Sequence, residues 1–199
     1  ADPQPRASSA GYDNIAYHSL DICEDFYRDM REKAATITDR NVYGMMLGDL
    51  VHENMSLFSN YVAGLKTLGF PMFNILGNHD NDYTAANDVE GRRKYEEKLG
   101  PTYYSFNIGG VHYVVLDNVK YCNHKSKGRD RNYEVRFTQD QIDWVKQDAA
   151  LMPKDTKHVI FAWHCPSYRR RTGGEATHNA DEILSKYAPL RLPMTILTG

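Results

Sequence analysis

The chain has 199 residues, 41% of them hydrophobic and 25% charged, with a formal net charge of −2. That length and balance give one globular domain with a sizeable core and exclude a disordered polyelectrolyte. No apolar run approaches the roughly 20 residues that span a bilayer, and the near-neutral charge argues against nucleic acid as a partner.

The three cysteines, Cys23, Cys122 and Cys165, include no C-x-x-C, so neither a disulfide framework nor a zinc ribbon is indicated. The chain opens Ala1-Asp2-Pro3-Gln4 without an initiator methionine and closes on the apolar run Met194 to Gly199. It reads as residues 1–199 of a longer protein with further domains, so targeting and compartment are left open.

In chain order, residues 12–40 read as a helix carrying Ile15, Leu20, Ile22, Phe26 and Met30. Val42 to Leu47 reads as a buried strand, 54–68 as a helix and Pro71 to Leu76 as a strand. Residues 87–99 read as a charged helix ending near Gly100. Tyr103 to Ile108 and Val111 to Leu116 flank Gly109-Gly110, which signals a hairpin. Residues 118–136 form a long polar stretch without periodicity, and loops of that length are often functional. Thr138-x-x-Gln141 fits a capping box opening a helix to about Met152. His158 to Trp163 reads as a strand, 179–187 as a helix, and a strand follows from Met194. Strands separated by helices imply a mainly parallel sheet with helices outside it.

Metal-ligand side chains follow these strands. Asp49 comes after the first, in Gly48-Asp49-Leu50-Val51-His52. Asn78, His79 and Asp80 come after the second, in Gly77-Asn78-His79-Asp80. His164 comes after the fifth, in Trp163-His164-Cys165-Pro166, and Asp2 and Gln4 stand where an earlier strand would end. In parallel α/β sheets ligands collect outside the carboxyl ends of the strands. Carboxylate, carboxamide and imidazole together suit borderline divalent ions such as manganese, iron or zinc.

These motifs resemble the calcineurin-like metallophosphoesterases. Gly48-Asp49 and Gly77-Asn78-His79-Asp80 match that family's second and third motifs in sequence and separation, and His164 with Pro166 looks like its fourth. The first motif reads Asp2-Pro3-Gln4, as in one branch of the family, in place of the usual Asp-x-His. Many members carry a second Asp three residues after the Gly-Asp, where this chain has His52. A charge partner for the catalytic histidine must then be another group.

The resemblance implies a four-layer α/β/β/α sandwich of two mixed sheets, here without its first strand and its C-terminal end. It implies two divalent metal ions. Asp2 and Gln4 would hold one, Asn78 and His164 the other, and Asp49 both. A hydroxide shared by the ions would attack phosphorus, with His79 at the leaving group. Two further histidine ligands would follow Gly199, so these residues alone are expected to bind metal weakly. Asp80, His52, Asp117, Arg169 and Arg170 are candidates for supporting the ligands or meeting the substrate. Lys125, Lys127, Arg129 and Arg131 form a second basic stretch, whose bland reading is a solvated face. The expected partner is a phosphorylated small molecule or other phosphoester, cleaved as a monoester or a diester. The alternative is an inactive scaffold or binding domain of the same fold.

Overall fold

The computed structural model describes residues 3–6, 10–12, 15–17, 19–123, 132–167 and 177–199. Two short antiparallel strands, β1 (Ala10–Tyr12) and β2 (Ile15–Tyr17), precede helix α1 (Ser19–Ala35). The helix expected over residues 12–40 is thus shorter at both ends. Its apolar spacing overlaps a stretch that pairs as strand.

β3 (Gly44–Met46), α2 (Phe58–Lys66) and β4 (Met72–Asn74) follow, and β3 and β4 pair in parallel. The expected helix over 54–68 begins as a 3-10 turn, Met55–Leu57, capped by the Asn54 side chain. The charged helix over 87–99 is two pieces, α3 (Asp88–Gly91) and α4 (Arg93–Leu99), and Gly100 at φ +91° ends the second. β5 (Tyr104–Ile108) and β6 (Val111–Val115) form the expected hairpin. Gly109 and Gly110 turn it with φ of +59° and +78°, the left-handed pair such a turn requires.

The polar stretch after β6 contains an antiparallel pair, β7 (Val119–Tyr121) and β8 (Tyr133–Val135). α5 (Gln139–Leu151), β9 (His158–Ala162), α6 (Ala180–Tyr187) and β10 (Met194–Leu197) complete the chain. The capping box expected before α5 does not form, because the Thr138 side chain makes no capping bond. The Gln141 amide turns inward instead: its Oε1 accepts from the Asp117 N–H at 2.9 Å, and its Nε2 donates to the Asp117 carbonyl at 2.7 Å.

Strand alternation builds the layers. β10, β9, β6 and β5 form one mixed sheet in that order, with β9 parallel to both neighbours and β5 antiparallel to β6. Ile75, Val115 and Ala162 are fully buried between this sheet and the β3–β4 pair, with Met45, Leu47, Tyr104 and Phe106 packed around them. The alternate residues face outward. Met46 and Leu76 join Cys23, Tyr27, Phe58, Tyr61 and Tyr95 beneath α1, α2 and α4. Val114, Val159, Phe161 and Trp163 join Ile142, Val145, Ile183 and Tyr187 beneath α5 and α6. Helix, sheet, sheet and helix are the four layers that the resemblance implies. Among the described residues no helix is long and apolar enough to cross a membrane.

Candidate metal centre

The loops after β3, β4 and β9 meet at one point, and Asp49 is its hub. Its side chain is buried, at 5% exposure. Oδ2 accepts from Gln4 Nε2 at 2.8 Å and Oδ1 from the His79 backbone N–H at 3.0 Å. His164 Nε2 lies 3.4 Å from Asp49 Oδ1 and 3.2 Å from Asn78 Oδ1. Gln4, Asp49, Asn78 and His164, four of the five ligands expected from the sequence, are therefore in direct contact. The fifth, Asp2, lies outside the described residues.

The backbone is shaped to permit this. Gln4, Asp49 and Glu53 have φ of +38°, +52° and +54°. They are three of the five non-glycine residues with positive φ among those described, so left-handed backbone concentrates at the site. A Cβ on Gly48 would overlap the His164 ring, and one on Gly77 would overlap Asp49, so both glycines are needed for close approach. Short bonds tie the first segment in: Gln4 N–H donates to the Asp49 carbonyl at 2.9 Å, and His52 N–H to the Pro5 carbonyl at 3.1 Å.

The donor set fits a divalent cation. His164 Nδ1–H donates to the Leu47 carbonyl at 2.8 Å, which aims Nε2 at two acceptor oxygens. Such a contact needs positive charge. Burial alone would strip His164 of its proton, yet Asp49 and the Leu47 carbonyl outweigh it and raise the pKa to about 9. Burial likewise pushes Asp49 up, and bonds from His164 and the His79 N–H overcome it, leaving the carboxyl below its usual range. A cation there would satisfy the same oxygens and meet the Nε2 lone pair of neutral His164.

The remaining candidates divide. Asp80 is fully buried behind the site and latches its two loops, accepting from Val51 N–H at 2.9 Å and Gly77 N–H at 2.8 Å. Burial, then the neighbouring Asp49 charge, push its carboxyl up to about 7. His52 stacks on His79 with ring centroids 4.4 Å apart, and its Nδ1 lies 3.3 Å from Gln4 Oε1. Burial, then the charge of His79, hold His52 below its ordinary pKa. Arg169, Arg170 and the basic stretch Lys125, Lys127, Arg129 and Arg131 lie outside the described residues.

Asp117 is buried at 3% exposure and accepts from Val119 N–H at 2.9 Å, a structural role in the turn after β6. Burial pushes its carboxyl up to about 7 from 3.8. The folded protein therefore holds this proton more tightly than the unfolded chain. The stabilisation is complete below pH 3.8 and is lost as pH rises through about 7. Asp117→Asn is expected to flatten that part of the stability profile, read by urea unfolding at a series of pH values. An unchanged slope between pH 4 and 7 would place the strain elsewhere.

Two supporting residues escape the sequence reading. Asn118 brackets the His164 loop, its Nδ2 donating to the Cys165 carbonyl at 2.8 Å and its Oδ1 accepting from Cys165 N–H at 3.1 Å. Glu53 Oε1 lies 2.9 Å from His79 Nδ1. The only signal for either was its place one residue after a singled-out site candidate.

A four-layer sandwich with oxygen and nitrogen donors gathered beyond its strand ends has the build of a metallophosphatase. The family described as "Calcineurin-like phosphoesterase" matches residues 17–192, and the chain belongs to that family. Purple acid phosphatase 18 of Arabidopsis thaliana is 25% identical over 152 residues, 71% of this chain. The chain spans only 31% of that relative's length. Among solved structures, a purple acid phosphatase from yellow lupin (Lupinus luteus) seeds superposes with a TM-score of 0.58 at 13% identity, covering 96% of this chain and 35% of that one. A dimetal phosphatase from Danio rerio gives a TM-score of 0.58 at 14% identity, covering 98% of this chain and 77% of that one. At such identities the two structures speak for the fold alone.

Proposed function

We propose that the chain is the metallophosphoesterase domain of a longer protein and hydrolyses a phosphate mono- or diester with two divalent metal ions. The observation that carries this reading is the contact cluster of Gln4, Asp49, Asn78 and His164 around one buried carboxylate. Asp49 would serve both ions, Gln4 one, and Asn78 with His164 the other. Asp2 and residues beyond Gly199 would complete the set. Manganese, iron or zinc would supply Lewis acidity, activating water and neutralising phosphoryl oxygens.

The protein's own groups do the rest. The two loops, latched by Asp80, hold the donors in register before substrate arrives. His79 stands beside the cluster on the backbone that also bonds Asp49, and would meet a phosphoryl group bound there. From there its imidazolium would stabilise phosphoryl charge or hand a proton to the departing ester oxygen.

The test is hydrolysis of mono- and diesters of p-nitrophenol by the full-length, manganese-loaded protein. His79→Ala is expected to lower kcat about 100-fold. A wild-type protein that loads metal and cleaves neither ester would return the reading to an inactive scaffold of the same fold.

A further inference from the structure

We propose that Glu53 is the positioning residue for His79, accepting the proton on Nδ1 and thereby turning Nε2 toward the phosphoryl group. This rests on the reading above.

His79 is held at three points. Its backbone N–H donates to Asp49 Oδ1 at 3.0 Å, and its carbonyl accepts from Glu53 N–H at 3.0 Å. Its ring Nδ1 lies 2.9 Å from Glu53 Oε1. A carboxylate can only accept here, so Nδ1 carries the hydrogen. Turning the ring by half a rotation would place carbon against Oε1 and lose the bond. The tautomer and the ring angle are thus set together.

The backbone of Glu53 is committed to this arrangement. Its φ of +54° is unusual for a residue with a long side chain. It lets one residue meet the carbonyl of His79 with its N–H and the ring with its carboxylate. His52, next in the chain, closes one face of the imidazole at a 28° tilt. Both partners of the pair remain partly open, His79 at 24% and Glu53 at 39% exposure, so substrate can reach the ring.

In the reaction the oxygen of water bonds to phosphorus, and the ester P–O bond breaks with its electron pair on the leaving oxygen. That oxygen takes the Nε2 proton, leaving a neutral imidazole still bonded through Nδ1 to Glu53. The proton released by water leaves to solvent, from which Nε2 is recharged.

The dependence on leaving group tests this. Phenolate needs a proton as it departs and 2,4-dinitrophenolate does not. In the full-length, zinc-loaded protein, Glu53→Gln is expected to lower kcat on phenyl phosphate roughly 10- to 100-fold with KM little changed. On 2,4-dinitrophenyl phosphate the loss should stay below about threefold. Glu53→Gly, which suits the left-handed backbone, should behave alike. Glu53→Asp should recover part of the loss. Equal losses on both esters, or none, would overturn the assignment.

Nitrogen-15 NMR gives a readout independent of turnover. The wild type should carry a hydrogen-bonded proton on His79 Nδ1 that Glu53→Gly removes, and an unchanged signal would also overturn the assignment. The ligating atoms of His52, Glu53 and His79 all lie within 4.8 Å of one another. If zinc beyond that needed for full activity displaces the Nδ1 proton, the three groups hold an ion and the positioning role falls. A wild type that cleaves neither ester but shows the Nδ1 signal would defeat the phosphoesterase reading while sustaining the pair.

Discussion

Asp148→Ala is expected to destabilise the fold by about 3–5 kcal/mol, the range for removing one partner of a buried charge network. Asp148 belongs to α5, its side chain is 11% exposed, and three donors converge on it. Ser105 Oγ donates to Oδ1 at 2.6 Å, Tyr187 Oη to Oδ2 at 2.5 Å, and His112 Nε2 lies 2.8 Å from Oδ2. The other nitrogen of His112 is 2.9 Å from Asn107 Oδ1. Alanine would strand a serine, a tyrosine and a histidine together, each costing about 1–3 kcal/mol if left unpaired.

The sign of the pH effect follows. Burial pushes Asp148 up, but bonds from His112, Ser105 and Tyr187 outweigh it and hold the carboxyl below 3.8. Its stabilisation is therefore present above pH 3.8 and is lost as pH falls through the lower folded value. Urea unfolding should show the gap between wild type and variant at neutral pH and a narrower one in acid. A loss below about 1 kcal/mol at pH 7 would mean the three donors find water or other partners.

This network marks the limit of what the sequence discloses. Asp148 is separated from His112, Tyr187 and Ser105 by 36, 39 and 43 residues, so no local spacing announces it. His112 sits in an apolar strand without a pattern of its own. Asp49, Asn78 and His164 were legible for the opposite reason. Each follows an apolar run that the chain must bury, and strand ends on one rim converge wherever the sheets pack. Glu53 was invisible because its value depends on one left-handed residue.

Local templates misled where tertiary contacts outbid them. Thr138 and Gln141 fit a capping box, but the Gln141 amide satisfies both backbone groups of Asp117. Val-Lys-Tyr at β7 and Tyr-Glu-Val at β8 do alternate, yet three residues are too few for a period to stand out. The overlong first helix has a similar origin, since Ile15 continues the apolar spacing of α1 from within a strand.

Asp49→Asn carries the largest expected effect on activity. The change is nearly isosteric and keeps one acceptor oxygen, so the bond from the His79 N–H at 3.0 Å can survive. What goes is the negative charge. His164, whose pKa of about 9 is sustained against burial chiefly by Asp49, then gives up its proton more readily in the metal-free protein. The Asn78 oxygen loses its proton donor and the cluster its reason to attract a cation. Several kcal/mol of charge stabilisation depend on the ions, so kcat/KM should fall roughly 10³-fold or more. Calorimetric titration of the full-length protein with manganese should show at least one site lost. His164 should titrate lower than in the wild type, since burial would then be opposed only by the Leu47 carbonyl and the Asp80 charge. The combination separates a metal-gathering role from a packing role, because the variant should keep its fold while losing both cation and rate. Undiminished manganese affinity in a folded Asp49→Asn protein would remove Asp49 from the centre of the site.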